Sequence, residues 1–112
     1  MEKQLSINVD ERVERAQNYF KSGYNCAQAV AAGFDRDDLL AELAVCGGGR
    51  APEGNCGALH AALLLIPAEH RDNAKAEFTQ TAGAARCMEI KANGFPCKDC
   101  VALAAELVEK YR

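Results

Sequence analysis

The chain has 112 residues, which suits one domain over residues 1–112 with a single modest core and no second lobe. Its 13 Lys+Arg against 16 Asp+Glu give a net charge of −3 with no basic run, so the footprint that nucleic-acid phosphates or acidic lipids require is missing. No apolar stretch approaches the roughly 20 residues of a bilayer span, and the N-terminus lacks the apolar centre of a secretion signal. The expectation is a cytoplasmic protein with no membrane insertion and no nucleic-acid partner.

The 21 alanines, against 11 β-branched residues, predict an all-α fold, because Ala loses no side-chain entropy in a helix. Asn8 or Asp10 is expected to cap a first helix with Val9, Val13, Ala16 and Phe20 on one face, ended by Gly23. Asn25 then caps a short helix from Cys26 through Val30 towards Gly33. Asp35 or Asp37 starts another through Leu39, Leu40, Leu43 and Ala44. From Cys46 to Asn55 four glycines and a proline predict a loop. Gly57 to Ile66 is apolar almost all round, the pattern of a buried central helix, and Pro67 ends it. Glu69 to about Thr81 follows with Ala74, Phe78 and Ala82 inward, then Gly83. A short piece spans Arg86 to Lys91. After the turn Asn93 to Pro96, a last helix runs from Cys97 to Tyr111 with Cys97, Cys100, Val101, Ala104, Val108 and Tyr111 inward. The expected architecture is a compact single domain of five or six short helices.

Six cysteines, Cys26, Cys46, Cys56, Cys87, Cys97 and Cys100, are the unusual feature. In a reducing compartment such a set points to metal binding or redox work more than to disulfide staples. Cys26, Cys56 and Cys97 fall in predicted first helical turns, and Cys87 joins them if a helix begins after Gly83. There, unpaired amides and the helix dipole favour thiolate over thiol. The plain alternative is that free cysteines pack as small hydrophobes. Cys97 and Cys100 form a C-x-x-C pair on one helix face. Without a βαβ setting, that pair reads as a metal site or a dithiol switch. His60, four residues after Cys56, shares its helix face and could join it on one metal, although a core histidine gives the same pattern. His70 reads as a surface residue. Gly47 to Gly49 lack the Lys-Ser/Thr ending of a P-loop, and no C-x-x-C-H is present for covalent haem.

Ser22-Gly23-Tyr24-Asn25-Cys26-Ala27-Gln28-Ala29-Val30, then Gly47-Gly48-Gly49 leading to Cys56-Gly57-Ala58, then Cys87 and Cys97, resemble the C_GCAxxG_C_C family of small redox-active proteins. The resemblance runs from about Ser22 to Leu107. It implies hallmark roles for Cys26, Cys56, Cys87 and Cys97, and an association with oxidoreductase or transporter systems. A similar cysteine-bearing helical domain occurs in split-Soret cytochromes that hold an iron-sulfur centre. Ala61 stands where the signature has its last glycine, and Cys46 and Cys100 lie outside the hallmark set.

The leading expectation is that Cys26, Cys56, Cys87 and Cys97 hold an iron-sulfur cluster for electron transfer or redox sensing, with Cys46, Cys100 and His60 as additional ligand candidates. An electron-transfer protein or oxidoreductase would be the partner, and the chain would be an accessory more than a stand-alone enzyme. Two alternatives stand beside it: metal-free thiol exchange with Cys97 and Cys100 as the catalytic pair, and a binding module with structural zinc. The apolar central helix leaves room for a homodimer.

Overall fold

Alanine-rich segments divided by glycine and proline fold into helices almost wherever the pattern places them. The computed structural model describes residues 2–46 and 52–111. Among these residues there are seven α-helices and no strand: α1 (Glu2–Lys21), α2 (Cys26–Gly33), α3 (Leu40–Leu43), α4 (Gly57–Leu65), α5 (Arg71–Ala82), α6 (Cys87–Ala92) and α7 (Cys97–Tyr111). The number exceeds the expected five or six because two very short segments, α3 and α6, both close as α-helix. The radius of gyration is 12.8 Å, close to the value of about 13 Å for a compact domain of this length.

One sequence expectation changes, and another falls outside the described residues. The first helix begins at Glu2, so Asn8 and Asp10 lie inside it and not at its start. Glu2, Lys3, Gln4 and Leu5 are good helix formers, and they extend the helix past the expected start. The glycine run Gly47 to Gly49, expected to form part of a loop, lies outside the described residues.

The core is built where α2, α4 and α7 pack on one another, with α1 against α2 and α7 and with α5 against α4 and α7. Val30, Leu59, Phe78, Val101 and Val108 are buried within it. Many of the contacting residues are alanines with no exposed surface, including Ala27, Ala58, Ala61, Ala62 and Ala104. Small side chains let the helix axes approach closely, which brings the helix ends near one another. Ala74, Phe78 and Ala82 of α5 are buried as their spacing predicts. Lys110 Nζ donates to Glu77 Oε1 at 2.8 Å and the Tyr111 hydroxyl donates to the other carboxylate oxygen, which fastens α5 to the end of α7. Gly83 ends α5 at φ 90°, and a Cβ there would meet the Asn93 amide at 2.6 Å. Among the described residues no helix is long and apolar enough to cross a membrane.

Candidate functional site

The four cysteines singled out by the motif resemblance all sit at helix beginnings. Cys26, Cys87 and Cys97 are the first residues of α2, α6 and α7, and Cys56 is the N-cap of α4. Side-chain hydrogen bonds fix the start of α2, whereas α4 and α6 begin without a side-chain cap. Asn25 and Gln28 form a reciprocal capping box at α2: Gln28 N donates to Asn25 Oδ1 at 2.7 Å, and Asn25 N donates to Gln28 Oε1 at 3.1 Å. The same two side chains hold α3. Asn25 Nδ2 donates to the carbonyls of Leu43 and Ala44, and Gln28 Nε2 donates to that of Leu40. The sequence shows Asn25 as a cap but gives no sign of this second use, because the carbonyls it reaches lie beyond the helix it caps.

A second device joins Cys56 to Cys87. Asn55 and Arg86 form an isolated antiparallel bridge, and Cys56 N donates to Ala85 O at 2.8 Å. Two residues that each directly precede a hallmark cysteine are thereby paired. Gly57 completes the approach. A Cβ at Gly57 would lie 2.5 Å from Cys46 O and 2.9 Å from Cys26 Sγ, so only glycine lets the α4 start meet the Cys26 sulfur without displacement.

These constraints bring five sulfurs around one cavity of about 20 Å3, room for about one water. Cys26, Cys56, Cys87, Cys97 and Cys100 line it together with Ile90, Lys91 and Phe95. The wall is sulfur and hydrocarbon, with Lys91 as its charged residue and no carboxylate. Cys97 is half-buried, whereas the other four lining cysteines are buried. All six cysteines are free thiols.

Comparison of the chain with protein-family profiles, curated proteins and solved structures finds no match in any of the three. The arrangement of the sulfurs therefore has to carry the functional argument.

The thiols of Cys26, Cys56 and Cys100 are electrostatically coupled, Cys56 with each of the other two. The coupling with Cys56, followed by burial, drives the Cys26 thiol well above its ordinary range, while backbone amides of Ala58 and Ala27 oppose the change. The coupling with Cys100 pushes Cys56 up to about 12, against an opposing influence from Cys26. Burial raises Cys97, helped by Cys26 and Cys87 and countered by Lys91. The expectation that helix N-termini keep these sulfurs as thiolates is thus reversed at Cys26, Cys56 and Cys97. Burial beside other sulfurs outweighs the helix dipole, and the proton stays on.

Two other ligand candidates stand apart. His60 is on α4 but is not among the residues that line the cavity. Cys46 is buried outside the cavity wall, next to Gly57 through its carbonyl and raised by burial, with smaller influences from Glu42 and Cys26. Cys100, by contrast, belongs to the cavity. Its position in C-x-x-C suggests Cys97 as its companion, but the thiol it is coupled to is that of Cys56, on another helix.

Among the described residues, no three His, Cys, Asp or Glu side chains are gathered closely enough to hold one metal ion as they stand. The cavity is nevertheless rich in sulfur: five cysteines from the starts of four helices line it, with Lys91 beside them and no carboxylate among the lining residues.

Proposed function

We propose that this is a small redox protein whose convergent cysteines bind an iron-sulfur cluster or another thiophilic metal and serve electron transfer or redox sensing. The observation that carries the reading is the meeting of Cys26, Cys56, Cys87 and Cys97 at one cavity, from four separate helices. Their motif resemblance to the C_GCAxxG_C_C proteins supports the same class. Cys26, Cys56, Cys87 and Cys97 are the proposed ligands, with Cys100 as an additional one. A bound cluster supplies one-electron redox chemistry. The chain's own contribution is to gather the sulfurs, exclude bulk water with Ile90 and Phe95, and place Lys91 and amides of α4 near the negative charge that ligation brings. Loading releases thiol protons and re-spaces the sulfurs, so uptake is favoured by rising pH. A cytoplasmic setting, which keeps thiols reduced, and an oxidoreductase or electron-transfer partner belong to this proposal, as does a homodimer.

Anaerobic purification with an absorption spectrum and iron and sulfide analysis provides the test. A coloured protein with stoichiometric iron and sulfide is expected. A colourless preparation that stays iron-free after anaerobic reconstitution refutes the cluster, and chelator-induced unfolding of a zinc-loaded, colourless protein would support structural zinc instead.

A second reading is favoured by the gathering of Cys26, Cys56, Cys97 and Cys100 at one cavity: metal-free thiol-disulfide exchange. It requires disulfide formation under graded oxidation.

A further inference from the structure

The sulfur cavity has room for about one water, and among the described residues no three donors are spaced for one metal ion, so loading has to move part of the wall. Cys26, Cys56, Cys97 and Cys100 stand on or at the starts of α2, α4 and α7, the helices whose mutual packing builds the core. The other half of the lining residues, Cys87, Ile90, Lys91 and Phe95, belong to α6 and the turn after it.

Among the described residues α6 shares no extensive contact with any other helix. It has six residues, starts without a side-chain cap and buries only Cys87 and Ile90. Met88, on its outer side, is 82% exposed. Its hydrogen bonds close on themselves: the amides of Ile90, Asn93, Gly94 and Phe95 all donate to carbonyls between Arg86 and Lys91. The segment is fastened near its ends, by the Asn55–Arg86 bridge before it and by the Asn93 side chain against Gly83 after it. Gly94, at φ 80° with open space where a Cβ would stand, leaves the backbone free to turn between α6 and α7. A helix this short does not hold its form alone. Lifting Ile90 and Cys87 off the cavity therefore unwinds α6 and leaves the core packed, at a fraction of the free energy of global unfolding.

We propose that α6 and the turn from Asn93 to Phe95 form a lid over the sulfur cavity: the lid opens to admit a thiophilic metal, the cysteines of α2, α4 and α7 capture it, and Cys87 binds last and closes the lid. This deepens the metal-binding reading above and rests on it.

The test is hydrogen exchange of the reduced, metal-free full chain at several low urea concentrations, read by mass spectrometry, before and after Cd2+ is added without oxygen. Uptake is followed by the ultraviolet charge-transfer absorbance of cadmium thiolates. Corrected for intrinsic rates, α6 amides should exchange at least about tenfold faster than those of α4 and α7, with a weaker urea dependence. Cadmium should slow α6 at least about tenfold, because a ligand held by Cys87 favours the closed lid. Cys87→Ser should still take up Cd2+ but lose that slowing. Ile90→Ala removes the lid's buried hydrocarbon, and it should speed α6 exchange and Cd2+ uptake by the same factor, on the order of tenfold or more. Exchange of α6 in the parent with the protection and urea dependence of α4 and α7 overturns the lid. Equal slowing by cadmium in the parent and Cys87→Ser overturns the closing role of Cys87. Faster exchange in Ile90→Ala with unchanged uptake overturns α6 as the entry route. No Cd2+ uptake by the folded parent overturns the metal-binding reading, and the loading order with it, even where α6 opens as expected.

Discussion

Replacing Gly57 by alanine tests the close approach on which the sulfur site depends. The added methyl would meet Cys46 O at 2.5 Å, Cys26 Sγ at 2.9 Å and the Ala27 methyl at 3.3 Å. The first of these is backbone, held by a residue that is itself hydrogen-bonded to Leu43 O through its amide. It cannot turn aside as the end of a long side chain can. Overpacking of this kind costs about 1–3 kcal/mol. Alanine's better helix propensity returns less than about 1 kcal/mol, because Gly57 is at the first position of α4 and not in its interior. The net expectation is a loss of about 1–2 kcal/mol, or roughly 5–10 °C in Tm for a domain of this size. Thermal unfolding of the reduced, metal-free protein, followed by circular dichroism, measures it directly. Since Cys26 must shift to admit the methyl, its alkylation in the folded state should also quicken. A variant with a Tm equal to or above that of the parent would falsify the claim that the α4 start is packed against Cys26 and Cys46.

Asn25→Ala removes the α2 cap and two donors to α3 at once. It should cost about 1–2 kcal/mol in urea unfolding. Asn25→Asp keeps the acceptor for Gln28 N but loses the amide donors, so it should fall between the parent and Asn25→Ala; equal stability of all three would refute the double role. The carboxyl of Asp35 is held below its ordinary range by hydrogen bonds from Arg15 and then Arg12. Its contribution to stability is therefore complete above the unfolded carboxylate pKa and is lost as pH falls through the lower folded value. Asp35→Asn, which retains a side chain tolerant of the positive φ of 62° at this position, should lessen the acid sensitivity of the unfolding free energy. Identical pH profiles for parent and variant would remove the pair as a source of that dependence.

The helices were legible in the sequence because alanine, glycine and proline are local signals. Gly23, Gly83 and Pro67 end their segments where expected, and Ala74, Phe78 and Ala82 form the inward stripe of α5. The placement of Cys26, Cys56, Cys87 and Cys97 at helix starts was legible for the same reason. What brings those starts together was not. The Asn55–Arg86 bridge and the reach of Asn25 to α3 join segments distant in sequence, and neither leaves a periodic trace. The charge state of the sulfurs was also hidden. Position in a helix indicates the dipole, but burial and neighbouring thiols, which decide the balance, exist only after packing. The C-x-x-C spacing shows which sulfurs share a helix, and so it misses that Cys100 lines one cavity with Cys56 from another helix.

The Asn55–Arg86 bridge also sets the order in which the site can come into being during folding. It closes a loop of about 30 residues, and such a closure has to be compensated by contacts formed at the same time. Those contacts are the packing of α4 and α5 on α7, inside and beyond the loop. Before they form, the six thiols are scattered along an open chain with no preferred neighbours apart from the C-x-x-C pair. The sulfur chamber is therefore a product of completed tertiary structure. Newly made chains depend on a reducing medium until the core closes, and refolding yield should rise with the amount of thiol reductant present during that interval.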